Sequence, residues 1–174
     1  MTQEQETITN LLNLLDFEAR RFLRGEILLH QQIPEWISAA ESLKLKIVLQ
    51  KYSDFIQQHI QVLDQFFETE EVVAVSLENR IMQAYIEDAR HKLKVCEEAA
   101  IKDACLLAAI QAINHYKISA YGTAAAFANA LGMEAQAGIF HKAEVDEKQI
   151  DDRLSQLAEH EVNQLARTPM NLPG

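Results

Sequence analysis

Glu26, His59 and Glu147 are the residues of this chain best suited to chemistry, because each falls where a helical repeat calls for a hydrocarbon side chain. Four residues past Phe22 stands Glu26, and three further on stands Leu29. Likewise Ile56 leads to His59 and then Leu63, and Ala143 leads to Glu147 and then Ile150. A further helical stretch puts Asn114 and Lys117 on the line from Leu107 and Ile110 to Tyr121. A buried charge is costly unless it is paired or bound to metal. Polar residues at comparable depth on four helices therefore predict one shared layer across the centre of a bundle. Two carboxylates and an imidazole are donors for a divalent metal, and a lysine ammonium among them is a rival positive charge.

The elements that must carry this layer are long helices. Ile8, Leu12, Leu15, Ala19, Phe22, Leu29 and Ile33 recur every three or four residues and predict a first helix with one buried stripe. Pro34 is expected to bend that helix or end its straight part. A second helix is predicted from about Ser42 to Phe67, with Leu45, Val48, Tyr52, Ile56, Leu63 and Phe66 on one face. A looser amphipathic segment, roughly Val75 to Lys94, makes a long connection. A third long helix runs from near Ala99 to Gly132, which suits a C′ position. The fourth covers about Glu134 to Leu165, with Phe140, Ala143, Ile150, Leu154 and Leu157 inward. Residues 167–174, with Pro169 and Pro173, are expected to be irregular.

Composition agrees with this organisation. The chain has 174 residues, 48% apolar and 24% charged, which fits one globular domain able to bury a core without disulfides. Only 5 Gly and 3 Pro leave little material for many tight turns, so a few long helices are expected. A net charge of −10 is wrong for a surface that neutralises phosphates, and this excludes nucleic acid and anionic membranes as expected partners. The longest apolar run, Ala104 to Ile110, is too short to span a bilayer. Near the start, Glu4 and Glu6 with no apolar stretch give no sign of a secretion signal, so a cytoplasmic location is expected. Cys96 and Cys105, nine residues apart, are neither a Cys-x-x-Cys pair nor a disulfide framework, and Cys105 reads as a small core residue.

Several blocks of residues resemble a known family. One is Asp103-Ala104-Cys105-Leu106-Leu107-Ala108-Ala109, followed by Asn114-His115-Tyr116-Lys117, Tyr121-Gly122-Thr123 and Ala130-Leu131-Gly132. A second is Gly25-Glu26, Ile33-Pro34 and Ala39-Ala40, running on to His59 and Leu63-Asp64-Gln65-Phe66. A third is Asp146-Glu147-Lys148 with Asp151. Together they resemble the YciE/YciF family of bacterial ferritin-like proteins over nearly the whole chain. The resemblance implies a ferritin-like four-helix bundle with a long connection between its second and third long helices, and a homodimer. It also implies metal binding, with iron or zinc as candidates, and a link to bacterial stress responses.

The departures from that family bear directly on the site. The family motif Glu-His-Tyr-Glu-x-x-x-Tyr-Gly-Thr stands here with Asn114 and Lys117 in place of both glutamates, and Phe55 occupies a position commonly filled by glutamate. A di-iron site takes about four carboxylates and two imidazoles. Here three of those carboxylates are gone and an ammonium is added. Asp88-x-x-His91 is the nearest approach to a Glu-x-x-His ligand pair, as a single copy in the connecting segment, and reads as a solvated face.

Three arrangements satisfy the remaining residues. Lys117 can stand in for the metal charge, pairing with Glu26 and Glu147, while Asn114 and His59 complete the hydrogen bonds and Asp151 lies one turn away. Alternatively Lys117 snorkels outward and the glutamates lie at a wet seam. A residual single-metal site can also form from Glu26, His59 and Glu147, a set that suits zinc better than iron oxidation chemistry.

Other constellations carry no chemistry. His160-Glu161 lacks the second histidine of a zinc protease motif, no Gly-rich loop precedes a helix, and His141 with Glu144 reads as a surface pair. The expected protein is a non-enzymatic bundle with a degenerate metal site, no catalytic residue and no resident cofactor. The rival is a metal-binding bundle with oxidase or storage activity. A helical adaptor would be signalled by an exposed apolar patch between Val72 and Leu93.

Overall fold

A computed structural model describes residues 7–69 and 77–167 of the chain. Among the described residues the main helices are α1 (Leu11–Ala39), α2 (Leu43–Thr69), α3 (Arg80–Val95), α4 (Ala99–Ala130) and α5 (Glu134–Leu157). A π-helical turn, Ala158–Val162, continues α5 into a last helical turn, Asn163–Leu165. The four long helices form a ring in the order α1, α2, α5, α4, each packed on its neighbours, while α3 lies against α1 and α4. Short connections fold α1 on α2 and α4 on α5 as hairpins. The long link carrying α3 lets α2 and α4 run parallel, the ferritin-like arrangement with one crossover.

Local chemistry starts and stops these helices. Asn10, Ser42 and Asn79 cap α1, α2 and α3, each side-chain oxygen accepting a backbone N–H three residues on. Beyond α4, Gly132 adopts φ 71°, so that Met133 N–H donates to the Ala128 carbonyl (2.9 Å) and Gly132 N–H to that of Asn129 (3.0 Å). These two bonds are the left-handed stop expected at Gly132. Pro34 does not end α1, which continues five residues to Ala39. Asp103 of α4 reaches across to α2, its carboxylate accepting Glu41 N–H at 2.8 Å and Ser42 N–H at 2.7 Å.

Two apolar clusters fill the bundle. One gathers Leu29, Ile33, Trp36, Leu45, Leu49, Ile56, Ile110, Ile113, Ile150 and Leu154. The other joins Leu15, Phe22, Leu63, Phe66, Phe67 and Phe140 to the small Ala124, Ala128 and Ala137. Ile8 and Leu12 are exposed and do not belong to the first stripe, since α1 begins only at Leu11 and its start projects past the core. The connecting segment buries Met82, Ile86 and Ala89 and leaves Ile81 exposed. The rest of the Val72–Leu93 patch named above, up to residue 76, lies outside the described residues, as does the tail from residue 168. Among the described residues no helix is long and apolar enough to cross a membrane.

Candidate functional site

The polar layer lies where the two apolar clusters meet. Glu26 comes from α1, His59 from α2, Asn114 and Lys117 from α4, and Glu147 from α5. All five are buried, Asn114 and Glu147 completely. Their convergence follows from the interrupted stripes: a residue on the core-facing side of each long helix has nowhere to point but the bundle axis.

Lys117 holds the centre. Its Nζ stands 3.0 Å from Glu26 Oε2 and also contacts Glu147 Oε1. The ammonium further lies over the Tyr52 ring, 4.6 Å from its centroid. Tyr52 O–H donates to Glu147 Oε2 at 2.7 Å, and Asn114 Nδ2 donates to the same oxygen (2.7 Å) and to the Glu147 carbonyl (2.9 Å). Tyr121 O–H donates to Glu26 Oε1 at 2.5 Å. Each carboxylate thus has a hydroxyl donor on one oxygen and the ammonium on the other.

His59 closes the layer from α2. Its Nδ1 faces Glu26 Oε1 at 3.6 Å and Glu147 Oε1 at 3.5 Å, while Nε2 meets Asp146 Oδ2 at 3.3 Å. Asp146 is in turn held by Lys142 at 3.0 Å. A carboxylate behind one ring nitrogen fixes how the other is presented, as it does for metal-binding histidines.

The electrostatics follow from two carboxylates sharing one ammonium. Burial alone would raise the Glu26 carboxyl, but Lys117, then His59 and the Tyr121 hydroxyl, bring it down to about 2. Glu147 moves the other way: burial raises it, and the nearby Glu26 charge adds to that against the pull of Lys117 and His59. Burial would also strip the proton from Lys117, but Glu147 and Glu26 outweigh it and hold the ammonium charged. Tyr52 and Tyr121 are raised well above the usual phenol range by burial and by the adjacent carboxylates, so both remain donors.

Of the residues expected to form the layer, Glu26, His59, Asn114, Lys117 and Glu147 meet. Asp151 does not: it pairs at the surface with His115, at 2.9 Å. It stands at the edge of α5 that meets α4, where the exposed His115 imidazole takes its carboxylate. Tyr52, Tyr121 and Asp146 belong to the site and were not expected there as polar partners. The tyrosines read as apolar stripe members, and the buried hydroxyl's need for a partner was the available signal. His141 and Glu144 form the expected surface pair, at 3.4 Å.

Comparison with known proteins places this architecture. The DUF892 family, described as a domain of unknown function, matches residues 4–167. The chain belongs to that family. Protein YciF of Escherichia coli (strain K12) is 30% identical over 129 residues, covering 74% of this chain and 78% of YciF. The crystal structure of the E. coli stress protein YciF superposes with a TM-score of 0.85 at 25% identity, over 90% of this chain and 99% of that one. YcfI from Rhodopseudomonas palustris gives a TM-score of 0.83 at 22% identity, over 89% and 98% of the two chains. The YciE/YciF resemblance and the ferritin-like bundle are therefore those of the family.

One donor atom each from Glu26, His59 and Glu147 lies within 4.8 Å of the others, close enough to share an ion. The set does not suit a di-iron centre, which asks for about twice as many carboxylates and a second imidazole. For a single divalent ion the donors suffice, but the Lys117 ammonium lies against both carboxylates and repels a cation there.

Proposed function

We propose that this family member is a non-enzymatic bundle whose central layer is neutralised by Lys117 in place of metal. The observation that carries the reading is the Lys117 ammonium against both Glu26 and Glu147. An ion pair on helices α1, α4 and α5, with Tyr52, Tyr121 and Asn114 filling the remaining sites, gives the core its cohesion without a cofactor. The stress-protein description of E. coli YciF supports a role in bacterial stress response, and the proposed form of the protein is a cytoplasmic homodimer.

Elemental analysis of protein purified without chelator, then challenged with ferrous iron under air, tests this directly. The expected result is no bound metal and no oxygen consumption above buffer. About two irons per chain with oxygen uptake would restore the di-iron reading.

A second reading is favoured by the His59–Asp146 contact, which leaves Nδ1 aimed at the two glutamates as a metal ligand would be. In that reading Lys117 swings away and a single zinc binds Glu26, His59 and Glu147. Zinc bound at about one per chain, lost in His59→Ala, would establish it.

A further inference from the structure

Away from the polar layer, the start of α2 and the end of α5 leave a groove of about 470 Å³ between them, within the size range of small-molecule sites. Ile47 stands twelve residues before His59 on α2, about 18 Å along the helix, so the groove is separate from the Lys117 site. Ile47, Val48 and Leu157 form its apolar part, and Ile47 is 58% exposed there. The α5 wall presents Arg153, Gln156 and His160 at spacings of three and four, and the π-helical turn Ala158–Val162 lies in that wall. Such turns are rare and recur at functional sites.

Charge decides what the groove can hold. Glu161 is the acid that lines it, and its carboxylate is already taken, contacting Lys44 Nζ and accepting from Ser42 Oγ at 3.4 Å. Arg153 is exposed and, among the described residues, has no carboxylate partner. The groove therefore carries one guanidinium in excess, in a chain whose net charge is −10. A guanidinium fork matches a carboxylate in geometry as well as charge.

We propose that this groove binds a small apolar carboxylate with the chemistry of a medium-chain fatty acid. Its chain lies on Ile47, Val48 and Leu157, and its carboxylate meets Arg153, with the Gln156 amide as a second N–H donor. A hydrophilic anion would leave the apolar part of the groove in water, and a neutral hydrocarbon would leave the guanidinium unmatched.

The test is a titration of the full chain with sodium decanoate below its micelle concentration, followed by amide chemical shifts. Saturable binding of one decanoate per chain is expected, with shifts centred on residues 44–48 and 153–161. Octanoate should bind about tenfold more weakly, since two buried methylenes are lost. Decanol should bind about fivefold more weakly than decanoate, and Arg153→Gln should weaken decanoate by a similar factor while leaving decanol unchanged. Ile47→Asp, at an exposed position, should abolish the shifts while circular dichroism shows the helices intact. Absent or unsaturable shifts, shifts centred elsewhere, decanol binding as tightly as decanoate, or an Arg153→Gln chain that binds decanoate undiminished would each overturn the proposal.

Discussion

Lys117 of α4 holds its Nζ 3.0 Å from the Glu26 carboxylate of α1, with both side chains only 3% exposed. Bulk solvent barely reaches either charge, so the pair depends on its own geometry. Replacing Lys117 with Met leaves two buried carboxylates without their cation, and breaking such a pair costs about 3–5 kcal/mol. Urea unfolding at pH 7 should show that loss. Adding Glu26→Gln and Glu147→Gln to Lys117→Met should recover most of it, because the destabilisation comes from uncompensated charge and not from lost volume.

The layer also dictates how stability responds to acid. Glu26 is held at about 2, against 4.5 for a free carboxyl. Between those values the unfolded chain binds the proton that the folded chain refuses, so stability rises with pH across the window. The Glu26 contribution is complete above about pH 4.5 and lost on descent to about pH 2, an effect of about 3 kcal/mol. Glu147, raised by burial, has the opposite sign and loses stability as pH climbs from 4.5 towards its folded value. Glu26→Gln should flatten the acid limb of stability between about pH 2 and 4.5, read as urea midpoints over a pH series.

Glu26, His59, Asn114, Lys117 and Glu147 were legible in the sequence because each breaks an apolar stripe, and a stripe fixes which way a helix faces. Those breaks locate the centre of the bundle but not its partners' hydroxyls. Tyr52 and Tyr121 keep the stripe intact with their rings while serving the carboxylates with their tips. Asp146 and Asp151 flank Glu147, and spacing alone could not say which of the two turns towards His59. Contacts between distant residues were hidden for a different reason. Asp103 lies in a family block, yet nothing local shows that it caps a helix starting 60 residues earlier. The π turn after Leu157 also leaves no mark in the hydrophobic pattern.

That remote cap yields its own expectation. Asp103 accepts two backbone N–H groups at the entry to α2, satisfying donors that a helix start otherwise leaves unpaired. Asp103→Ala should cost about 1–3 kcal/mol by chemical denaturation. Asp103→Asn, which keeps one carbonyl acceptor, should fall between the two.

Gly25 and Asn79 form a second long-range dependence. A Cβ at Gly25 would stand 2.6 Å from Asn79 Nδ2, which donates to the Arg21 carbonyl (2.9 Å) and the Tyr116 hydroxyl (3.2 Å). Asn79 is fully buried and cannot step aside. Gly25→Ala should therefore destabilise by about 1–3 kcal/mol despite the better helix propensity of alanine. In an Asn79→Ala background the same change should become neutral or stabilising by up to about 1 kcal/mol, because the clash is gone and the propensity gain remains. A double-mutant cycle by urea unfolding measures the difference.

The ammonium of Lys117 is attached to the backbone. It cannot leave the chain, no chelator removes it, and it does not change oxidation state in the presence of oxygen. The positive charge at the middle of this bundle is supplied during translation, one per chain, whatever the iron or zinc content of the surroundings.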